Sequence, residues 1–305
     1  MPSPQRTTAQ PLPPAVRLHI FADSEAFGRR LARAARTPRC RVRVHTFPDG
    51  ESLVRVQMSP GRHAVVVRSL HDPNRKLIEV LLAADALRRG GAETVTLIAP
   101  YLPYMRQDSV FAPGEPISQR VIGDCLGRAF DGVYTLEAHL HRISRLSEVI
   151  PTQAESLSAE SVIAQWLQGI GGTYLIVGPD EESQPWVQGI AQAANIPWVV
   201  GHKTRAGDRR VHLRFAALPA VERAVIIDDI ASSGTTLEKT ACLLHQCGIP
   251  TVDVIIVHAL FPPTVQERLH RAGIRRLVSC DTIPHPTNTI TTASLFAPLI
   301  TRLSE

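Results

Sequence analysis

The chain has 305 residues, 44% apolar and 20% charged, the balance of a globular protein with room for two domains. No uninterrupted apolar run exceeds residues 80–84, far short of the ~20 that a spanning helix needs, which excludes a membrane-spanning chain. Thirty-three Lys and Arg against 28 Asp and Glu leave a net charge of +5, which suits polyanionic ligands.

Residues 1–15 are rich in Pro, Gln, Ser and Thr and lack the apolar stretch of a secretory signal, so they read as a disordered tail. Beyond them, short β-branched runs predict strands at 16–22, 42–47, 64–70, 95–100, 133–139, 174–177, 199–202, 224–228, 252–258 and 277–280. Helical patterns at 75–89, 117–130, 161–170 and 237–247 lie between many of them. Val- and Ile-rich strands separated by helices imply an α/β fold with mostly parallel sheets flanked by helices. Arg29, Arg30, Arg33, Arg36, Arg39, Arg41 and Arg43 surround one predicted helix and the strand after it. Without interleaved aromatics they read as a solvated face, and no nucleic-acid partner is expected. Cys40, Cys125, Cys242, Cys247 and Cys280 are odd in number and lack CxxC spacing, which indicates neither a disulfide framework nor a zinc site and fits a reducing cytoplasm.

The run Ala64-Val65-Val66-Val67 aligns with Ala224-Val225-Ile226-Ile227, and the match continues without gaps through Leu77 and Leu237. Each copy is a strand, a loop, a helix and another strand, which predicts two related halves joined near the polar stretch 151–158. The copies differ where chemistry would sit. Residues 68–76 of the first read Arg-Ser-Leu-His-Asp-Pro-Asn-Arg-Lys, whereas 228–236 of the second read Asp-Asp-Ile-Ala-Ser-Ser-Gly-Thr-Thr. Ser232, Ser233, Gly234, Thr235 and Thr236 combine hydroxyl donors with the free amides of a helix start, a site for a phosphate dianion. Asp228 and Asp229 would repel phosphate but accept hydrogen bonds from sugar hydroxyls. The combination describes a binder of ribose 5-phosphate.

This loop resembles the phosphoribosyl-binding motif of type I phosphoribosyltransferases and of the ribose-phosphate diphosphokinases. Other segments choose between those families. Phe47-Pro48-Asp49-Gly50-Glu51 resembles the diphosphokinases' Phe-x-Asp-Gly-Glu turn, and residues 100–108 resemble their Pro-Tyr-x-x-Tyr-x-Arg-Gln-Asp segment. Glu115-Pro116-Ile117-Ser118 and Asp281-Thr282-Ile283-Pro284 also fall where that family has similar runs. The resemblance extends from about Val16 to the C-terminus in one order, and simple transferases lack the first half.

The resemblance implies two phosphoribosyltransferase-like halves: an ATP-binding half over 16–150 and a ribose-5-phosphate-binding half over 151–288. A C-terminal helix over 289–305 would pack back on the first half. It implies ATP contacts from Phe47, Asp49, Gly50, Glu51, Arg106, Gln107 and Asp108. Ribose 5-phosphate contacts would come from Arg205, Asp228, Asp229 and residues 232–236. It also implies Mg²⁺ bound by His139 and Asp180, and catalytic cations at Lys203 and Arg205. A homo-oligomer is implied as well. In the stretch Glu137-Ala138-His139-Leu140-His141, alternation in a strand would put Glu137, His139 and His141 on one face, suited to a metal. Two departures stand out. Glu137 replaces the family's Asp, and Glu182 and Ser183 replace the two glycines that follow Pro-Asp-x. The expected reaction is ATP plus ribose 5-phosphate giving 5-phosphoribosyl 1-diphosphate and AMP. The competing readings are a regulatory homologue that binds without turnover, a phosphoribosyltransferase, and a nucleic-acid binder using the arginine-rich helix.

Overall fold

The computed structural model describes residues 15–206, 210–215 and 218–304, the side chains of 203–206 and 210–213 excepted. The first half contains β1 (Val16–Phe21), α1 (Glu25–Ala34), β2 (Arg39–Thr46), β3 (Ser52–Arg55), β4 (His63–Val67), α2 (Pro73–Arg89), β5 (Thr94–Ile98), α3 (Ser118–Ala129), β6 (Gly132–Leu136) and β7 (Gln153–Leu157). The second contains α4 (Glu160–Ile170), β8 (Leu175–Gly178), α5 (Gln184–Ala194), β9 (Trp198–Val200), β10 (His202–Ala206), β11 (Arg210–Arg214), β12 (Arg223–Ala231), α6 (Thr235–Gln246), β13 (Thr251–Ala259), α7 (Pro263–Arg271), β14 (Ile274–Cys280), β15 (Asn288–Ile290) and α8 (Ala297–Ser304).

Two sheets form, in the orders β3-β2-β1-β4-β5-β6-β7 and β15-β14-β13-β12-β8-β9, with β10-β11 as a separate ribbon. Pairing is parallel except for the β2–β3 and β10–β11 hairpins. The predicted repeat is visible in this order: β1-β4-β5-β6-β7 corresponds to β8-β12-β13-β14-β15, with β2 and β9 as matching neighbours. The central strands are buried on both faces, which is why they read as unbroken apolar runs rather than alternating ones.

The halves share a core. Leu18, Ile20, Val65 and Val67 of the first sheet lie in one apolar cluster with Ile176, Val225, Ile227 and Ile255 of the second, with residues of α1, α4, α5 and α8 between them. Arg30 of α1 donates to Asp281 across this boundary through Nε at 2.9 Å, and α8 packs on α1 and β1.

Three strand expectations shift. The polar stretch 151–158 holds β7, paired in register with β6, although its composition suggested only a join. Predicted strand 133–139 ends at Leu136, because Glu137 turns the chain with φ +40°. Predicted strand 199–202 is broken between β9 and β10 at Gly201.

Candidate functional site

Strands of both sheets end at a cleft between the halves, where ligands of open α/β sheets collect. The cleft comprises two cavities of about 400 and 620 Å³, both bordered by Arg106, Glu137, His139, Asp229 and Ile230. The smaller is walled by Tyr101, Pro103, Tyr104, Gln107 and His258. The larger is acidic: Asp108, Asp180, Glu182, Asp228 and Asp229 line it, and Thr236 stands at its edge.

β12 runs through both acids to Ala231, so Asp228 and Asp229 lie within the strand rather than just past its end. After it, Gly234 takes φ +69° and caps α6; a Cβ there would sit 2.8 Å from Val265. Both facts require glycine. Ser232, Ser233, Thr235 and Thr236 remain exposed beside the α6 amides. Arg268 of α7 donates to the Ser233 carbonyl and pairs with Glu238 at 3.0 Å, bracing the loop from behind. The corresponding place in the first half is filled by its own charges. Buried Arg68 bonds Asp23 at 3.0 Å and Glu79 at 2.5 Å, with Lys76 3.3 Å from Asp23.

His139 lies in the loop after β6, and its Nδ1 is 2.7 Å from Asp229 Oδ2, a contact between the halves. That contact leaves Nε2 for another ligand. Burial, and then the charges of Asp229 and Asp180, push the Asp228 carboxyl well above its ordinary value. Burial acts on Asp229 in the same direction, but the hydrogen bond from His139 above all holds it below. Among the described residues, no three His, Cys, Asp or Glu side chains form a ready-made metal shell. The carboxylate oxygens of Asp180, Asp228 and Asp229 that line the larger cavity are donors of the kind Mg²⁺ takes, its shell being completed by water and phosphate oxygens. The crowding that raises the Asp228 carboxyl above its ordinary value is what a bound cation relieves.

Glu137 does not join His139 and His141 on a strand face. Its Oε1 accepts from Ser158 Oγ (2.8 Å), the Ala159 amide (2.6 Å) and Trp186 Nε1 (3.0 Å), tying β6 to the starts of α4 and α5. Its longer reach than Asp serves this junction. Glu137→Ala leaves those donors without a partner, at a cost of about 1–3 kcal/mol for each one buried. Urea unfolding followed by tryptophan fluorescence should show a correspondingly lower midpoint.

The other predicted residues divide. Arg106 and Gln107 line the smaller cavity, with Gln107 held by Ser118 Oγ at 2.6 Å. Asp108 lines the larger one and pairs with Arg142 at 3.5 Å. Asp180 also lines the larger one. Phe47, Asp49, Gly50 and Glu51 form the exposed tip of the β2–β3 hairpin and border neither cavity. Lys203 and Arg205 fall on β10, with side chains outside the described residues, as are Gly207 and Asp208 altogether. Asp281 and Thr282 brace the fold: Asp281 takes Arg30 and Thr292, while Thr282 lies 2.9 Å from His258.

His258 was not singled out by sequence. Buried on β13, it donates from Nε2 to the Leu136 carbonyl (3.1 Å) in the other half, and its Nδ1 faces the Thr282 hydroxyl. Burial lowers its pKa to about 4, which keeps the ring neutral near pH 7. Trp186 and Arg268 were missed for the same reason, since their partners are distant in sequence.

Residues 17–129 match the family described as the N-terminal domain of ribose phosphate pyrophosphokinase, and 153–295 match the phosphoribosyl transferase domain. β7 therefore belongs to the second match by sequence and to the first sheet by pairing. A ribose-phosphate pyrophosphokinase of Methanopyrus kandleri is 30% identical, the alignment covering 93% of this chain and 99% of that one. One of Pyrococcus furiosus is 32% identical over 84% of this chain and 90% of its own length. The fold matches a phosphoribosylpyrophosphate synthetase structure from Mycobacterium smegmatis with TM-score 0.83, at 24% identity and covering 94% and 98% of the two chains. Similarity of that kind over nearly the whole length of both chains makes this chain a member of the ribose-phosphate pyrophosphokinase family.

Proposed function

We propose that the chain transfers the diphosphoryl group of ATP to the 1-hydroxyl of ribose 5-phosphate, giving 5-phosphoribosyl 1-diphosphate and AMP. The observation that carries this reading is the cleft itself. Asp228, Asp229 and Thr236 of the β12–α6 segment face Arg106 in the larger of two adjoining cavities, of about 400 and 620 Å³, together on the order of a nucleotide and a sugar phosphate.

In this reading Ser232, Ser233, Thr235, Thr236 and the α6 amides take the 5-phosphate, while Asp228 and Asp229 accept from the ribose hydroxyls. Arg106 pairs with ATP phosphates, and the nucleotide occupies the cavity walled by Tyr101 and Tyr104. Mg²⁺ would be held by His139 through Nε2 and by Asp180, and would supply neutralisation of phosphate charge. Lys203 and Arg205 are the proposed transition-state cations, as diphosphoryl transfer depends on positioning and charge stabilisation.

Phe47, Asp49, Gly50 and Glu51 reach an ATP site only if it belongs to a second copy. With Val44, Phe47 and Leu53 exposed on the same hairpin, this supports a homo-oligomer. All five cysteines are unpaired, and among the described residues no helix is long and apolar enough to cross a membrane. The proposed location is the cytoplasm.

The test is AMP formation by the purified protein, with product identified by ³¹P NMR. AMP that appears only with both ribose 5-phosphate and Mg²⁺ supports the proposal. Binding of both substrates without turnover would instead identify a regulatory homologue, and product formation from a nucleobase a phosphoribosyltransferase.

A further inference from the structure

The turn 180–183 follows β8, where the family's glycine-containing loop falls, and in this chain it carries two glutamates. It is closed by its own bonds: the Ser183 hydroxyl donates to the Asp180 carbonyl at 2.5 Å, and the Ser183 amide to Asp180 Oδ1 at 3.3 Å. The glutamates leave it in two directions. Glu181 Oε1 accepts from His202 Nδ1 at 2.8 Å, and His202 begins β10, one residue before Lys203. Glu182 Oε2 lies 3.1 Å from His141 Nε2 in the first half. The His141 ring lies on that of His139, with centroids 4.2 Å apart and planes inclined by 31°, and His139 bonds Asp229.

A chain of contacts therefore runs from Glu182 through His141 and His139 to Asp229, while the neighbouring glutamate holds the start of β10. All four side chains of the two Glu–His pairs are at least 36% exposed. Ion pairs so exposed contribute little to folding, so fold stability does not account for two of them on adjacent residues. Glycines at this turn would offer amides to phosphate. Glu182 and Ser183 give up that backbone freedom, and Glu182 is drawn toward His141.

We propose that the turn 180–183 is a bracket in which Glu181 positions the catalytic hairpin β10–β11 through His202, and Glu182 positions the metal-binding His139 through His141. The inference rests on the functional reading above for the roles of Lys203, Arg205 and His139. Glu181 and Glu182 are positioning residues, and their contribution is separable because each works through a different histidine.

The test uses the full chain with Glu181→Ala, Glu181→Gln, Glu182→Ala and Glu182→Gln. Glu181→Ala should lower kcat about 10- to 100-fold with KM for ribose 5-phosphate little changed, the cost of a misplaced catalytic group. It should also speed amide exchange across β10. Glu182→Ala should weaken binding of Mn²⁺ alone, read by electron paramagnetic resonance, by about tenfold or more, as loss of support behind a metal ligand does. It should leave β10 exchange unaltered. The Gln variants, which still accept from histidine, should restore most of each property. Alanine variants matching wild type in exchange and Mn²⁺ affinity would overturn the bracket. If the wild type forms no AMP, the functional reading fails, while the exchange and Mn²⁺ measurements still decide the bracket.

Discussion

Replacing Lys203 with alanine is expected to lower kcat by about 10²–10³-fold, or ~3–4 kcal/mol of transition-state stabilisation. Lys203 lies on β10, which forms no part of either main sheet and pairs with β11 alone. A cation on such a ribbon is suited to meet charge that develops during transfer rather than charge already present on the bound substrate. KM for ribose 5-phosphate should therefore change little, because the lost interaction belongs mainly to the transition state. Steady-state kinetics with circular dichroism as a fold control decides the matter. A variant that turns over at the wild-type rate makes Lys203 a surface lysine and removes it from the mechanism.

Asp229→Ala should act differently. Its carboxylate bonds His139 at 2.7 Å, is held below its ordinary pKa by that contact, and lies beside Asp228 on the strand that leads to the 232–236 loop. Removing an ionised acceptor of sugar hydroxyls costs ~1.5–3 kcal/mol, so KM for ribose 5-phosphate should rise about 10- to 100-fold. The same change frees His139 and removes a negative neighbour of Asp228, whose carboxyl should then ionise more readily. Asp229→Asn keeps the shape without the charge. It should fall between wild type and alanine in KM if hydrogen bonding matters, and match alanine if charge alone does.

Local form was legible in the sequence and distant contacts were not. The strand-loop-helix form of the second-half loop could be read because an apolar run, hydroxyls and a glycine sit side by side, and Gly234 does cap α6. The repeat could be read because buried parallel strands leave unbroken Val and Ile runs. Glu137 misled because alternation predicts a strand face only while the strand lasts, and the positive φ at that residue ends it. β7 was hidden because an edge strand with one exposed side, Gln153 to Leu157, has a polar composition. His258 and the Leu136 carbonyl are 122 residues apart, and no local pattern announces such a pair. The replacements at Glu182 and Ser183 were visible as anomalies, but the consequence of Glu182 depended on where His141 arrives.

The packing of α8 on α1 and β1 also bears on how the molecule is made. β1 and α1 are made well before residues 293–304, and part of their apolar side, Phe27 included, waits for Phe296 and α8 to cover it. At 5–20 residues per second, the roughly 260 residues between α1 and Phe296 take about 13 to 52 s to make, and that surface stays bare meanwhile. Closure of the first half's core therefore waits on the turn and helix over 293–304.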